Sequence, residues 1–472
     1  MTIKLFNTMS RKIEEFKPLI PGKMGFYSCG PTVYWDQHIG NMRSFVNSDI
    51  LKRMFIENGY DVHHVMNITD VGHLTSDEDT GEDKMEKGAA REKMSVWDIA
   101  QKYINSFLRD IDSLNIIRPT EMPRATDYIA EQIAQVQKLQ ELGYTYEIPG
   151  DGIYYDTSKF TDYGALGGQN LSELRGGARI DDSGKRNPTD FALWKFSPTD
   201  KKRAMEWDSP WGVGFPGWHI ECSAMSMKLL GPHFDIHVGG QEHIKVHHTD
   251  EIAQSEPIVG KPWVNYWVHY EWLLSKDGKM SKSSGDFLTV QDLIDRGYDP
   301  MAFRYMLLMG HYRQPLDFSF DALDAASNGY KSMVRRIAEL LKDHDSAPLD
   351  TAVFNEWHDK MLATISDNMK TAETLVLVHE LLRDTNVNSA TKIALFEFID
   401  RLLGLQFIDR AKKLNDTESE IVPAEIVALA DARRVAKENK DWARADEIRA
   451  QIENAGWTVV DTRDGTKIVK RA

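Results

Sequence analysis

The chain has 472 residues, 42% of them hydrophobic and 27% charged, and a formal net charge of −15. That length exceeds one ordinary core and calls for two to four domains, while the acidic balance counts against a general nucleic-acid binder. No apolar run reaches the roughly 18 residues a membrane span needs, and the start Met1-Thr-Ile-Lys-Leu-Phe lacks a signal peptide's apolar stretch, so a cytoplasmic protein that does not engage a membrane is expected.

In chain order, Gly25-Phe-Tyr-Ser-Cys-Gly30 reads as a short strand running into a turn. Val46, Ile50 and Met54 then recur at helical spacing, and Gly59 suits the position just past the helix end. Asp61-Val-His-His-Val-Met-Asn67 reads as a second strand, so strand, helix and strand open a parallel α/β sheet. Residues 72–95 are acid-rich and read as a mobile loop or a helix start, with helical text to about Gly143. Residues 118–208 read as an insertion with short strand candidates at Ile153-Tyr-Tyr and Phe191-Ala-Leu-Trp. Sheet-like text resumes at Phe234–Gly240 and Trp263–His269. Thr289-Val-Gln-Asp292 reads as a capping box, and Asp299-Pro300 opens a helix with proline at its first position. Beyond it the chain is nearly all helix, with Leu323, Ala326, Tyr330, Val334, Ile337 and Leu341 on one apolar face. Helices are expected over 424–439 and 442–454, then two short strands about Arg463-Asp-Gly465.

Two segments carry chemistry. Cys29-Gly-Pro-Thr-Val-Tyr-Trp-Asp-Gln-His38-Ile-Gly40-Asn41 falls at a strand-to-helix turn. Glycine there admits a close backbone approach, the helix start presents free N–H groups, and a histidine can donate to phosphate. Ser275-Lys-Asp-Gly-Lys279-Met-Ser-Lys282-Ser-Ser-Gly285 has the look of a polyphosphate loop, lysine being a compact charge that can follow phosphate as bonds change. Either alone reads as well as an ordinary turn or a solvated basic loop. Their order, at opposite ends of one α/β domain, favours a split ATP site. Two cysteines, Cys29 and Cys222, exclude a disulfide framework, and on count alone they read as inert buried thiols.

With these motifs the chain resembles the class I aminoacyl-tRNA synthetases, and within them the cysteinyl-tRNA synthetase family. The likeness runs through Tyr27–Tyr34, Asn67-Ile-Thr-Asp70, Asp190–Trp194, Gly217-Trp-His-Ile-Glu-Cys-Ser-Ala-Met225, His247-His-Thr-Asp-Glu251 and Gly310-His-Tyr-Arg313, and covers nearly the whole chain. It implies a Rossmann-type parallel-sheet catalytic domain with an insertion, followed by a mostly helical C-terminal region. The expected boundaries are 1–117 and 209–298 for the two catalytic halves and 118–208 for the insertion. A helical bundle for tRNA at 299–415 and a small anticodon-binding domain at 416–472 complete them.

The resemblance further implies one zinc per chain, held by Cys29, Cys222, His247 and Glu251, all competent ligands. It implies contacts to L-cysteine from Gly30, Thr32, Thr69, Trp218 and His237. It implies that His38, Gly40, Asn41, Lys279 and Lys282 bind Mg²⁺-ATP, with His38, Asn41 and the two lysines assisting catalysis. The expected reaction is ATP-dependent formation of cysteinyl-adenylate, then transfer to tRNA-Cys, by a monomer. Zinc suits the task, because an apolar pocket rejects a hydroxyl isostere by only about 10²-fold whereas a thiolate is a favoured zinc ligand. Asn41 departs from the family's usual histidine and cannot carry a charge. The text after Asp70 and the pair Gln241-Glu242 depart as well. Two alternatives stay open: a cysteine ligase acting on an amino-sugar, and a catalytically silent RNA-binding relative. Arg433, Arg434, Lys437, Lys440, Arg444 and Arg449 favour retention of an RNA-facing tail.

Overall fold

The computed structural model of the protein describes residues 1–72, 83–169, 184–199, 202–275, 278–279, 287–342, 347–419, 423–462 and 465–470. Of the expected features, residues 73–82, Lys282 and the turn residues 463–464 lie outside the described residues, as does the Lys279 side chain. The chain divides into two compact units. One holds 1–328, 355–383 and 401–405, and the other holds the rest.

The first unit opens with an antiparallel hairpin, β1 (Lys4–Asn7) and β2 (Lys12–Glu15). Its centre is β3 (Lys23–Ser28), helix α1 (Ile39–Glu57) and β4 (Asp61–Met66). Helices α2 (Lys84–Glu92), α3 (Val96–Ser113) and α4 (Ile129–Glu141) follow, with β5 (Thr145–Ile148), β6 (Gly152–Tyr155), β7 (Phe191–Phe196) and β8 (Gly214–Pro216). These last four strands form an antiparallel sheet in sequential order, which is the body of the insertion. The chain then returns through α5 (Ile220–Leu230), β9 (Phe234–Gly240), α6 (His247–Val259) and β10 (Val264–Tyr270).

The central sheet is parallel throughout, in the order β10-β9-β3-β4. From β3 the chain crosses through α1 to β4 on one side, whereas β9 crosses through α6 to β10 on the other. The connections therefore diverge between β3 and β9, and the crevice beyond their carboxyl ends is the ligand position of such sheets. Every residue of β9 is buried, as expected of a parallel strand covered on both faces. Tyr27 pairs with His237, and His237 with Trp267, so a histidine sits at the middle of the sheet.

Helix α1 is buried nearly all round, although its sequence is rich in polar residues. Arg53 Nε donates to Asp49 Oδ2 at 2.7 Å, and Arg304 donates to the same oxygen at 2.5 Å. Ile117 N–H donates to Asp49 Oδ1 at 2.8 Å. Arg43 donates to the carbonyls of Glu271 (2.9 Å), Trp272, His311 (3.1 Å) and Gln314 (2.6 Å). The first two carbonyls lead into β11 (Leu273–Ser275) and the last two precede β13 (Leu316–Asp317), which pairs with β11, as does β12 (Gly278–Lys279). Arg43 thus joins the helix of the first motif to the strand that leads into the second.

Helix α7 (Val290–Asp295) carries the Thr289–Asp292 capping box, and α8 (Pro300–Leu308) has Asp299 as its cap and proline in its first turn. Helices α9 (Phe320–Lys342), α10 (Thr351–Ser366), α11 (Thr371–Arg383) and α12 (Ser389–Leu403) follow. Wholly within the second unit are α13 (Phe407–Ser419), α14 (Ala424–Glu438), α15 (Trp442–Asn454) and the hairpin β14 (Trp457–Thr462) and β15 (Gly465–Lys470). Ile426, Ile448, Ile452, Trp457 and Val459 bury together beneath that hairpin.

Candidate active site

At the carboxyl ends of the strands lies a cavity of about 280 Å³, whose lining includes Gly30, Thr32, His38, Asn41, Thr69 and Trp218. One side of it begins at α1. His38 is the N-cap, and its Nδ1 accepts the Asn41 N–H at 3.2 Å. The proton of a neutral ring is therefore on Nε2, which suits donation to a phosphate. A Cβ on Gly40 would meet the His38 ring at 2.8 Å, so glycine is what lets the imidazole fold over the turn. Ile39 N–H donates to Leu288 O at 2.8 Å, tethering the start of α1 to the far end of the lysine segment.

The opposite wall is a chain of hydrogen bonds. Gly30 N–H donates to Asn67 Oδ1 at 2.7 Å, the Asn67 amide to Thr69 Oγ1 at 2.9 Å, and Thr69 Oγ1 to buried Glu221 at 3.0 Å. A Cβ on Gly30 would lie 1.6 Å from Asn67 O, so no other residue fits that approach. Thr32 and Thr69 pair as an isolated parallel bridge. Trp218 presents a ring over which Lys84 Nζ sits at 4.4 Å, a lining residue that the sequence reading did not single out.

At the base of the cavity, one ligand atom each from Cys29, Cys222, His247 and Glu251 lies within 4.8 Å of all the others. Cys29 follows β3, Cys222 is in the first turn of α5, and the other two lie one turn apart on α6. A second combination, Cys29, His237, His248 and Glu251, converges within the same limit. His237 does not line the cavity. It is fully buried behind Glu251, bonded to Oε2 at 2.9 Å. His248 Nε2 lies 3.2 Å from Cys29 Sγ. Sequence reasoning passed over His248, although a histidine next to a proposed ligand and three residues before a buried glutamate was the available signal.

Burial pushes the Cys29 thiol up, and Glu251 and Glu242 add to it. Cys222 stands well above its ordinary range, through its hydrogen bond with Cys29 and then through burial. Burial works to raise Glu251, but His237 and His247 draw it down to about 2. Burial likewise works against charge on His247, yet Glu251 and then Cys222 raise it well above its usual value. The Glu251 Oε1 atom is buried and accepts no hydrogen bond of normal geometry among the described residues. Two thiols, an imidazole and a buried carboxylate around one point fit a divalent cation, and the sulfur, nitrogen and oxygen mixture fits zinc.

In the second unit, the basic residues of α14 and α15 are partly matched by acids on their own helices. Arg434 bonds Glu438 at 2.7 Å, Arg444 bonds Glu447 at 2.5 Å and Arg449 bonds Glu453 at 3.0 Å. Arg433 is buried rather than presented to solvent.

The sequence matches the tRNA synthetases class I (C) catalytic domain over residues 15–328. Among solved structures, a Mycobacterium tuberculosis methionyl-tRNA synthetase in complex with methionyl-adenylate superposes with a TM-score of 0.55 at 14% identity, covering 84% of this chain and 94% of that one. With the parallel sheet and the crevice at its switch point, the catalytic unit is that of a class I aminoacyl-tRNA synthetase. The chain is also 46% identical to cysteine--tRNA ligase 1 of Burkholderia lata, over 99% of this chain and 97% of that protein. It is 44% identical to the cysteine--tRNA ligase of Treponema denticola, over 98% of each. The chain belongs to the cysteine--tRNA ligase family.

Proposed function

We propose that the chain activates L-cysteine with ATP to cysteinyl-adenylate and pyrophosphate, and then passes the cysteinyl group to tRNA-Cys. The observation that carries this reading is the convergence of Cys29, Cys222, His247 and Glu251 at the base of a cavity whose far wall is the His38 turn. Zinc held by those four residues would supply a borderline-soft cation that favours a thiolate over a hydroxyl, and so cysteine over serine.

The remaining work belongs to the protein's own groups. Gly30, Thr32 and Thr69 line the cavity where the amino acid's carboxylate and amine would be bound, with Trp218 packing on its side chain. His237 orients Glu251 from behind. The His38 Nε2–H and the close backbone approach at Gly40 bind the triphosphate, with the Asn41 side chain donating an amide and Mg²⁺ accompanying ATP. Lys279 and Lys282 neutralise charge as the bond to pyrophosphate breaks. No side chain acts as nucleophile, because the substrate carboxylate attacks the α-phosphorus itself. The rate comes from alignment and charge stabilisation. Residues 299–415 are proposed to carry the tRNA, and residues 416–472 its anticodon, although the internal pairing on α14 and α15 leaves fewer cations for RNA. The second unit and the near-complete span of the Burkholderia protein favour tRNA over an amino-sugar as acceptor.

The test is pyrophosphate exchange with cysteine and with serine, followed by tRNA-Cys charging, on protein of measured zinc content. Cysteine-dependent exchange, charging and about one zinc per chain are expected. Exchange without charging would point to another acceptor, and a metal-replete preparation without zinc would sink the selection mechanism.

A further inference from the structure

We propose that Tyr163, Asp250 and His219 form a hydrogen-bonded relay that fixes the ring orientation and tautomer of His247, holding its Nε2 lone pair toward the metal. This inference rests on the zinc reading above and names three positioning residues for it.

The geometry runs in one direction. The Tyr163 hydroxyl donates to Asp250 Oδ1 at 2.6 Å, and His219 Nε2 lies 3.3 Å from Asp250 Oδ2. His219 Nδ1 and His247 Nδ1 are 2.7 Å apart. His247 Nε2 faces Glu251 Oε1 at 3.0 Å, on the side where the four ligand atoms converge. All four relay side chains are buried, so bulk water does not compete for these bonds.

A carboxylate can only accept. Asp250 therefore takes the Nε2–H of His219, which leaves His219 Nδ1 bare. That bare nitrogen accepts the Nδ1–H of His247, so that when the ring gives up its second proton to a metal the lone pair left is the one on Nε2. Of the two neutral tautomers of His247, the relay thus selects the one that can ligate. Burial, followed by the Asp250 carboxylate, pushes the Tyr163 phenol well above its ordinary range, so its hydroxyl stays a donor. Metal-bound histidines commonly give their second N–H to an outer partner, and losing such a partner typically costs 10–100-fold in metal affinity.

The relay has an architectural side as well. Tyr163 belongs to the insertion, Asp250 and His247 to α6, and His219 to the segment before α5. One hydrogen-bonded line therefore carries the insertion's position into the orientation of a metal ligand.

The decisive variant is Asp250→Asn in the full-length protein. Its amide nitrogen can donate to His219 Nε2 and so reverse the proton order along the line. Zinc affinity is read by competition with 4-(2-pyridylazo)resorcinol, and ligand geometry by the visible spectrum of the Co²⁺-loaded protein. The expected result is zinc binding about 10–100-fold weaker than wild type, with an altered cobalt band, while the metal-stripped variant still melts cooperatively. Unchanged affinity and an unchanged cobalt spectrum would overturn the relay. If Asp250→Asn does not fold, Tyr163→Phe decides. A loss of roughly threefold to tenfold with a shifted cobalt band supports the relay, and wild-type values for both overturn it. A wild-type protein that binds no zinc defeats the zinc reading itself, which is a different result from variants that bind it normally.

Discussion

Arg43 offers the sharpest test of how the two motifs proposed to bind ATP are held together. Its guanidinium bonds four carbonyls on the segments leading into β11 and its partner β13, and burial lowers its pKa only to about 10, so it stays charged at neutral pH. Replacing it by methionine keeps the stem and removes every donor. At about 1 kcal/mol for each net hydrogen bond, the loss is about 4 kcal/mol. Lysine retains the charge, but a compact ammonium cannot span four carbonyls arranged for a planar fork, so Arg43→Lys should cost roughly half as much. Urea unfolding followed by tryptophan fluorescence measures both. The functional consequence is specific, because β11 leads into the lysine segment while α1 begins at His38. With the tie cut, the KM for ATP in pyrophosphate exchange should rise by roughly tenfold or more, since small misplacements of binding groups are costly. Arg43→Met with a wild-type urea midpoint would refute the energetic argument. A destabilised variant with an unchanged ATP KM would refute the claim that this arginine aligns the two motifs.

Asp49→Asn should cost about 3–5 kcal/mol at pH 7, because it leaves the buried Arg53 and Arg304 without their shared anion. Burial opposes the charge on Asp49, but Arg304 and Arg53 hold its pKa below the ordinary value, so its contribution is present above about pH 4 and lost as pH falls further. The stability gap between wild type and variant should therefore narrow below about pH 4, and a gap constant down to pH 3 would contradict this. Gly30→Ala should destabilise by about 3 kcal/mol and raise the KM for cysteine, because the new carbon displaces Asn67. Thermal melting and exchange kinetics check it. Lys282→Ala should slow single-turnover adenylate formation by roughly 10²–10³-fold with cysteine binding nearly intact, and a normal adenylation rate would remove that lysine from the mechanism.

The parts of the fold that sequence exposes are those where one physical signal dominates. The apolar spacing of Val46, Ile50 and Met54 and the positive-φ Gly59 marked the body and end of α1. Phe234–Gly240 matched β9 residue for residue, and the Thr289 capping box and the Asp299-Pro300 start were local chemistry that tertiary structure left in place. The first hairpin, Lys4–Asn7 with Lys12–Glu15, was passed over because its burial depends on the rest of the domain. The polar burial on α1 was equally hidden, since Asp49 tolerates the interior only because Arg304, far away in sequence, arrives to pair with it. At the site, short motifs and cysteines stood out, but their partners did not. His219 and Asp250 lie inside those motifs without a role of their own there and Tyr163 lies outside them, and all three acquire meaning only when folding brings three separate segments together.

The four proposed metal ligands also set a timetable. Cys29 leaves the ribosome long before Cys222, and the site lacks its carboxylate until Glu251 has emerged, by which time the whole insertion has been synthesised. A nascent chain released early would carry Cys29 but no complete site, so loaded metal marks a polypeptide that has already closed its parallel sheet at β9. For expression, the consequence is practical. Zinc supplied during late elongation or after release should be as effective as zinc present from the start, and truncations ending before residue 251 should fail to retain it.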